Sequence, residues 1–155
     1  MKKKNNIYVI GIILFLVDFF VKRLVIHLMK EQSIIKIIPN FFQICFVRNK
    51  GAAFSILENN TLLLILISVG FLIFLNHMIK KEENFTKLSI VSLGMIMGGV
   101  IGNLFDRIIY RSVIDYLSFK IINYDFPIFN LADIFITVGT GLLLLSMLLE
   151  KRKEE

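Results

Sequence analysis

Residues 7–29 read IYVIGIILFLVDFFVKRLVIHLM, a long apolar run that contains the charged residues Asp18 and Lys22. About 20 mostly apolar residues in a helix are enough to cross roughly 30 Å of hydrocarbon. Three further stretches meet the same requirement, at residues 61–79, 88–109 and 130–149. The sequence therefore predicts four transmembrane helices.

The composition also favours a membrane protein. The chain has 155 residues, of which 56% are hydrophobic, and its mean hydropathy is +0.75. A soluble core of this size cannot bury so many apolar side chains. We expect one integral membrane domain over residues 1–155, mostly helical, with a small extracytoplasmic strand region at about 31–60 and a short loop.

Basic residues lie in short clusters at the ends of the predicted helices. The amino terminus, residues 80–87 and the carboxyl terminus hold nine lysines and arginines, and the two other, longer loops hold seven. Basic residues concentrate on the cytoplasmic side of membrane proteins, so we expect both termini in the cytoplasm. No basic stripe interleaved with aromatic residues is present, which argues against a nucleic-acid ligand despite the net charge of +6.

Asp18 and Lys22 are four residues apart in the first predicted span. This spacing places them on one helical face, where they can pair inside the membrane. The pair is either a structural ion pair that fixes helix packing or a direct contributor to substrate handling.

Residues 33–47 are rich in isoleucine and phenylalanine and contain Pro39 followed by Asn40. The composition and the turn signal predict two short strands around a turn. Such a strand pair can bind an extended peptide by strand addition, or it can be a plain amphipathic lid.

The segment 49–54, NKGAAF, places three small residues between Asn49 and Phe54. Small residues allow close approach of backbone or ligand, although a simple turn before the second span explains them as well.

The third span ends in GGVIGNLFDR, residues 98–107. Gly98 and Gly102 have the small-xxx-small spacing that permits close helix contact. Asn103, Asp106 and Arg107 then form either a polar collar at the interface or a group that orients catalytic carboxylates.

Two aspartates flank the loop that follows. Residues 113–116 read VIDY, and after a predicted loop through Lys120 and Asp125 the fourth span opens with FNLAD at 129–133. Asn130 is a good N-cap, and helix capping alone is one explanation of Asp133. Capping does not explain Asp115. Two neighbouring carboxyl groups cannot both ionise easily, so the pair is suited to acid/base catalysis.

Together these motifs resemble the bacterial lipoprotein signal peptidases, the signal peptidase II family, over essentially the whole chain. The resemblance implies a bacterial inner-membrane aspartyl protease that removes the signal peptide of a prolipoprotein before its diacylglyceryl-modified cysteine. It implies a catalytic dyad of Asp115 and Asp133, close to the outer membrane face. It also implies a site that is shaped or supported by further residues: Asn49, Gly51, Asn103, Asp106, Arg107, Asn130, Asp18 and Lys22. We expect a monomer in contact with membrane lipid that uses no metal and no cofactor.

Other functions have less support in the sequence. The only histidines, His27 and His77, fall at opposite predicted membrane faces, and no His-Glu-x-x-His or Gly-x-Ser-x-Gly motif is present. Cys45 is the single cysteine, so it cannot form an intrachain disulfide. A small transporter would line an ion path with Asp18 and Lys22, but no internal repeat is visible. A non-catalytic membrane scaffold leaves the clustered Asn, Asp and Arg residues unexplained.

Overall fold

A computed structural model describes residues 2–51, 60–122 and 124–154. Ala52, Ala53 and Phe54 of the small-residue segment lie outside the described residues. The helices and strands, in chain order, are α1 (Lys2–Leu28), β1 (Ile34–Ile38), β2 (Phe42–Asn49), α2 (Thr61–Lys81), α3 (Lys87–Tyr110), β3 (Val113–Ile121), β4 (Tyr124–Asp125) and α4 (Leu131–Glu154).

Three helices in the described part of the chain are long and apolar enough to cross a membrane: Thr61–Lys81, Lys87–Tyr110 and Leu131–Arg152. The helix α1 has 27 residues but is not among these three. The predicted class, a mostly helical membrane protein with a small β element, is confirmed. The count of four spans stays a prediction, because length and composition select three helices among the described residues.

The helix α3 is central, and α1 and α4 pack against it at glycines. A Cβ atom on Gly98 would lie 2.7 Å from the carbonyl oxygen of Gly11 on α1. Gly99 similarly faces the carbonyl oxygen of Ala132 on α4, and a Cβ atom on Gly139 of α4 would lie 2.9 Å from Met95 of α3. Without side chains at these points, the helix backbones approach closely and bring the polar ends of α3 and α4 together.

Two apolar clusters hold the elements in place. One lies at the end of the bundle near the chain termini, where Ile7 of α1 packs with Leu75 and Ile79 of α2 and with Leu93 of α3. The other joins the last turns of α1 to the sheet, with Val25, Phe46, Ile114 and Tyr116 all buried. Within the membrane such a cluster is stabilised by close packing, because lipid is as apolar as the side chains themselves.

The four strands form one antiparallel sheet in the order β1-β2-β3-β4. The first two strands are the hairpin that the sequence predicts between residues 33 and 47, with Pro39 and Asn40 in the turn. Asn40 has a φ of 57°, a left-handed conformation that asparagine tolerates better than most residues. Between Ile44 and Val47 the register shifts, and beyond this irregularity Val47 pairs with Asp115.

The third strand corrects the sequence prediction of a loop after residues 113–116. It continues to Ile121, and Lys120 then pairs with Asp125 of β4. Residues 117–121, LSFKI, alternate apolar and polar side chains, which is the period of a half-buried strand. The prediction of a loop over these residues was therefore wrong, because their alternating side chains continue the strand.

Candidate active site

Asp115 lies in β3 and is almost fully buried. Its two carboxyl oxygens each accept a hydrogen bond from a side-chain amide. Asn49, at the end of β2, donates from Nδ2 to Oδ2 at 2.9 Å, and Asn130 donates from Nδ2 to Oδ1 at 2.7 Å. The carboxyl group is thus fixed from two sides by donors that come from different parts of the chain.

Asp133 lies in the first turn of α4, directly beside Asn130. The backbone N–H of Asn130 donates to Oδ2 of Asp133 at 3.1 Å, and the backbone N–H of Asp133 donates to Oδ1 of Asn130 at 3.1 Å. This reciprocal pair has the pattern of a capping box. Asn103 of α3 donates from Nδ2 to the other oxygen, Oδ1, at 2.7 Å. One residue, Asn130, therefore bonds to both Asp115 and Asp133.

Three side chains, from Tyr116, Asp18 and Asn130, accept hydrogen bonds from the backbone N–H groups at the start of α4. The N–H of Leu131 donates to the hydroxyl of Tyr116 at 3.3 Å, and the N–H of Ala132 donates to Oδ1 of Asp18 at 3.0 Å. The N–H of Asp133 is bound by Asn130, as described. The first amides of a helix have no partner within the helix, so these contacts fix the position of the turn that carries Asp133.

A buried ionic cluster connects α1 to α3 behind the aspartates. Lys22 Nζ lies 2.8 Å from Asp18 Oδ2 and 3.1 Å from Asp106 Oδ2, and all three residues are buried. Lys22 also donates to Oδ1 of Asn103 at 3.0 Å. Arg23 completes the cluster with a 3.2 Å contact to Asp106. The cluster reaches Asp133 through Asn103 and, from Asp18, through the N–H of Ala132 at the start of α4.

Asp106 also connects this cluster to the strand that carries Asp115. Its Oδ2 accepts the backbone N–H of Ile114 at 3.2 Å. On the opposite side, Gly102 leaves room for Asp18, because a Cβ atom on Gly102 would collide with Asp18 Oδ2. The polar end of α3 thus sets the positions of both α1 and β3.

Arg107 and Gly51 connect to the site through Asn49. Arg107 donates from a terminal guanidinium nitrogen to the carbonyl oxygen of Gly51 at 3.4 Å, and the N–H of Gly51 donates to Oδ1 of Asn49 at 2.9 Å. With its oxygen occupied by this N–H, Asn49 directs its amide nitrogen to Asp115.

The environment of Asp115 changes its acidity. Burial is the main cause that raises its pKa from 3.8 to about 7, and the neighbouring charge of Asp133 raises it further, while the hydrogen bonds from Asn49 and Asn130 oppose the shift. A carboxyl group with such a pKa is able both to hold and to release a proton near neutral pH.

The sequence model of the signal peptidase (SPase) II family matches residues 10–149. The chain belongs to the signal peptidase II family. A relative named lipoprotein signal peptidase, from Symbiobacterium thermophilum (strain DSM 24528 / JCM 14929 / IAM 14863 / T), is 40% identical over 145 residues, which cover 94% of this chain and 95% of that one. As a member of the family, the chain is a protease.

Two solved structures of bacterial membrane enzymes, both obtained by the in meso method, share the fold of this signal peptidase II chain. The first, at 2.3 Å resolution, superposes with a TM-score of 0.89 at 28% identity and covers 97% of this chain and 92% of its own. The second, at 1.9 Å resolution, has a TM-score of 0.83 at 30% identity and covers 93% of both chains. Together with the apolar helices, they identify the chain as a multi-pass membrane protein.

In this signal peptidase II chain, the residues singled out from the sequence lie together in one network of hydrogen bonds and ion pairs. The network contains Asp18, Lys22, Asn49, Gly51, Asn103, Asp106, Arg107, Asp115, Asn130 and Asp133. Sequence reasoning missed Arg23 and the hydroxyl of Tyr116. A second cation beside Lys22 in an apolar run indicates that Arg23 also needs an acidic partner. No local pattern predicts the contact of the Tyr116 hydroxyl with the N–H of Leu131. No cluster of three metal-ligating side chains occurs in the described residues.

Proposed function

We propose that the chain is a membrane aspartic endopeptidase that uses Asp115 and Asp133 as its catalytic dyad. Membership of the signal peptidase II family and the 40% identical lipoprotein signal peptidase support removal of signal peptides from prolipoproteins in lipoprotein maturation. Cleavage takes place on the amino side of the diacylglyceryl-modified cysteine.

The observation that carries the assignment is the position of Asn130. Its side-chain amide nitrogen bonds to Asp115, and its backbone N–H bonds to Asp133, so the two carboxyl groups are held around a single residue. The raised pKa of Asp115 supports one shared proton, because two adjacent carboxylates resist full ionisation. The apparent pKa values belong to the pair.

Hydrolysis requires a base and an acid on opposite sides of the scissile amide. The ionised carboxylate takes a proton from a water molecule while the water oxygen bonds to the carbonyl carbon. The protonated carboxyl group then supplies its proton, and the amide nitrogen leaves as a protonated amine when the C–N bond breaks. The raised pKa of about 7 at Asp115 keeps one proton on the pair near neutral pH, and that proton belongs to the pair and not to one aspartate.

The surrounding polar residues position the dyad. Asn49 and Asn130 hold Asp115, and Asn103 holds Asp133, with donors that strengthen when a carboxyl group is charged. Arg107 bonds to Gly51, whose N–H in turn bonds to Asn49, so both support the position of Asn49 at Asp115. Asp18, Lys22 and Asp106 act through Asn103 and through the start of α4.

We place α1 in the membrane as the fourth span. Its charges Asp18 and Lys22 are buried and paired inside the protein, whereas Val9, Ile12 and Phe20 on its surface are apolar and exposed. A paired charge that faces protein is the arrangement that membrane helices tolerate. Four spans put both termini on the same side of the membrane, the dense basic clusters make that side the cytoplasm, and the dyad then lies near the outer face.

The exposed apolar surface also indicates how the protein sits in the membrane. The exposed apolar side chains of the helices contact lipid, and the protein acts as a single integral membrane domain and as a monomer without a nucleic-acid partner. Ile34, Ile35, Ile37 and Ile38 of β1 are all exposed, which suits a strand that rests at the outer membrane interface.

The test is processing of a lipid-modified precursor by purified protein in detergent. Asp115→Asn and Asp133→Asn should each abolish release of the signal peptide while the protein remains folded. Asp125→Asn is the matched control, because Asp125 is an exposed aspartate on β4. Undiminished processing by either dyad variant contradicts the assignment.

A further inference from the structure

An open cavity lies between α2 and α4 at the end of the bundle away from the dyad. Its volume is about 310 Å³. Phe74 and Met78 of α2 form one wall, Leu143 and Met147 of α4 form the other, and α3 closes the floor, with Leu93 among its contributing residues. The cavity is therefore an apolar crevice that opens toward lipid.

The α4 wall of this crevice continues to the dyad. Residues spaced three and four apart lie on one face of a helix. From Met147 and Leu143, this spacing leads through Thr140 and Ile136 to Asp133. The face that lines the cavity therefore ends at a carboxyl group of the proposed active site.

The α2 wall has a matching apolar face. Ile67, Phe71, Phe74 and Met78 follow the same spacing, and all four are exposed. The helices α2 and α4 run in the same direction because each is antiparallel to α3. Of these two faces, Phe74, Met78, Leu143 and Met147 line the cavity, and both faces continue along their helices toward the end that holds the dyad.

The end of the crevice opposite the dyad is lined by two acidic residues, although Lys80, Lys81 and Lys151 lie beside them in the sequence. Glu82 and Glu150 line the cavity there, and no lysine or arginine of the described residues does. Neither glutamate forms an ion pair within the described part of the chain; Glu82 accepts only the backbone N–H of Asn84 among its hydrogen bonds there. These carboxylates lie at the bundle end that also holds both chain termini.

A signal peptide has a basic amino-terminal region followed by 7–15 apolar residues and a cleavage site. The crevice presents complementary features in the same order: an acidic end, apolar walls and the dyad. From Glu150 to Asp133, α4 rises about 25 Å at 1.5 Å per residue, and an apolar helical segment with its flanks fits this length.

We propose that the crevice between α2 and α4 seats the substrate's signal peptide as a helix, with its basic region at Glu82 and Glu150 and its cleavage site at Asp133. This inference rests on the proposed function and extends it to substrate recognition. The crevice selects a basic and apolar segment, and the dyad then cleaves where that segment ends.

A charge-reversal experiment tests the acidic end. The double variant Glu82→Lys with Glu150→Lys should raise KM for a lipid-modified precursor with a basic amino-terminal region about tenfold and leave kcat unchanged, as expected for loss of two partly screened ion pairs. With the double variant, a precursor in which those basic residues are replaced by glutamate should have the KM that the wild-type enzyme has for the basic precursor. Glu83→Lys is the control, because Glu83 is exposed and does not line the cavity. An unchanged KM, or a rise that the acidic precursor does not reverse, overturns the proposal.

Disulfide cross-linking tests the apolar walls. In a Cys45→Ser, Asp115→Asn background, Phe74→Cys or Met147→Cys should cross-link to a cysteine in the middle of the precursor's apolar region. Ile73→Cys and Leu148→Cys are matched controls, exposed on the same helices but outside the cavity lining. Equal cross-linking at all four positions, or none at Phe74 and Met147, contradicts binding of the signal peptide in the crevice. Cleavage by the enzyme with Asp115 intact is scored separately, so loss of the protease assignment is distinguishable from loss of the docking site.

Discussion

Lys22 donates a hydrogen bond from Nζ to Oδ1 of Asn103 at 3.0 Å. An ammonium group has only donors, so the oxygen of the Asn103 amide must face Lys22. The amide nitrogen is then left to donate to Asp133, which it does at 2.7 Å. A buried charge on α1 thereby sets the direction of a hydrogen bond at a carboxyl group that it does not touch.

Replacement of Asn103 tests this relationship. Asn103→Leu keeps a side chain of similar size but leaves Asp133 without its side-chain donor and Lys22 without one of its acceptors. Loss of a hydrogen bond to a charged group costs about 1.5–3 kcal/mol, so we expect kcat to fall roughly 10- to 100-fold. Steady-state kinetics on a lipid-modified precursor measure the change, and thermal unfolding confirms that the variant is folded. An unchanged kcat contradicts the role of Asn103.

The pH dependence of activity should report the shared proton. Because the pKa of Asp115 is raised to about 7, the dyad loses its proton as the pH rises through that range. We therefore expect kcat/KM to decline above a pH of about 7. A pH profile measured in one detergent at constant ionic strength checks this. Activity that stays level up to pH 9 would be incompatible with a catalytic proton on the dyad.

Protein stability should show the same titration with a defined sign. Between pH 4 and pH 7 the unfolded chain ionises Asp115 while the folded protein keeps the proton, because the folded pKa is about 7 and the ordinary value is 3.8. The contribution of protonated Asp115 to the free energy of unfolding is fully present below pH 4 and is lost as the pH rises to 7. The total loss is at most about 4 kcal/mol. Between pH 4 and pH 7, the free energy of unfolding of the wild type should therefore fall more steeply than that of Asp115→Asn. Asp125→Asn should leave the slope unaltered; an equal slope in Asp115→Asn refutes the prediction.

Removal of Lys22 should destabilise the protein strongly. Lys22→Met leaves Asp18 without its cation and Asp106 with only Arg23, in a fully buried place. Breaking a buried ion pair from one side costs about 3–5 kcal/mol. The matched variant is Arg23→Met, which we expect to cost less, because Arg23 is 25% exposed. Chemical denaturation in detergent gives both values, and equal losses would show that burial of Lys22 is not the cause.

A methyl group at Gly102 should displace Asp18. The Cβ atom of alanine would collide with Asp18 Oδ2, while a Cβ atom on Gly141 has no neighbour within 4 Å. Gly102→Ala should therefore lower stability by about 1–3 kcal/mol and reduce activity, since Asp18 also binds the start of α4. Gly141→Ala should be neutral or slightly stabilising. Measured apparent Tm values for both variants distinguish collision from a general effect of alanine.

The sequence predicts those features that depend on neighbouring residues. Asp18 and Lys22 pair as their spacing of four predicts, and Asn130 caps the helix that carries Asp133. The hairpin at residues 34–49 follows from its composition and from the Pro39 turn. In each case a local pattern decides the structure, so one chain is sufficient to find it.

Contacts between distant residues were beyond a local reading. The bond from Asn49 to Asp115 depends on the register of β2 against β3, which shifts between Ile44 and Val47. The contact of Arg23 with Asp106 depends on how α1 crosses α3. No spacing along the chain encodes either of these. The resemblance to signal peptidase II grouped most of these residues without supplying their geometry.

The reciprocal bonds of Asn130 and Asp133 have a further consequence. The same atoms close the first turn of α4 and align the carboxyl group, so fraying of that one turn would dismantle the site. Ends of helices open more easily than their centres. Activity should therefore be lost on heating at a lower temperature than global unfolding. A ligand that binds residues 130–133 should raise the temperature at which activity is lost.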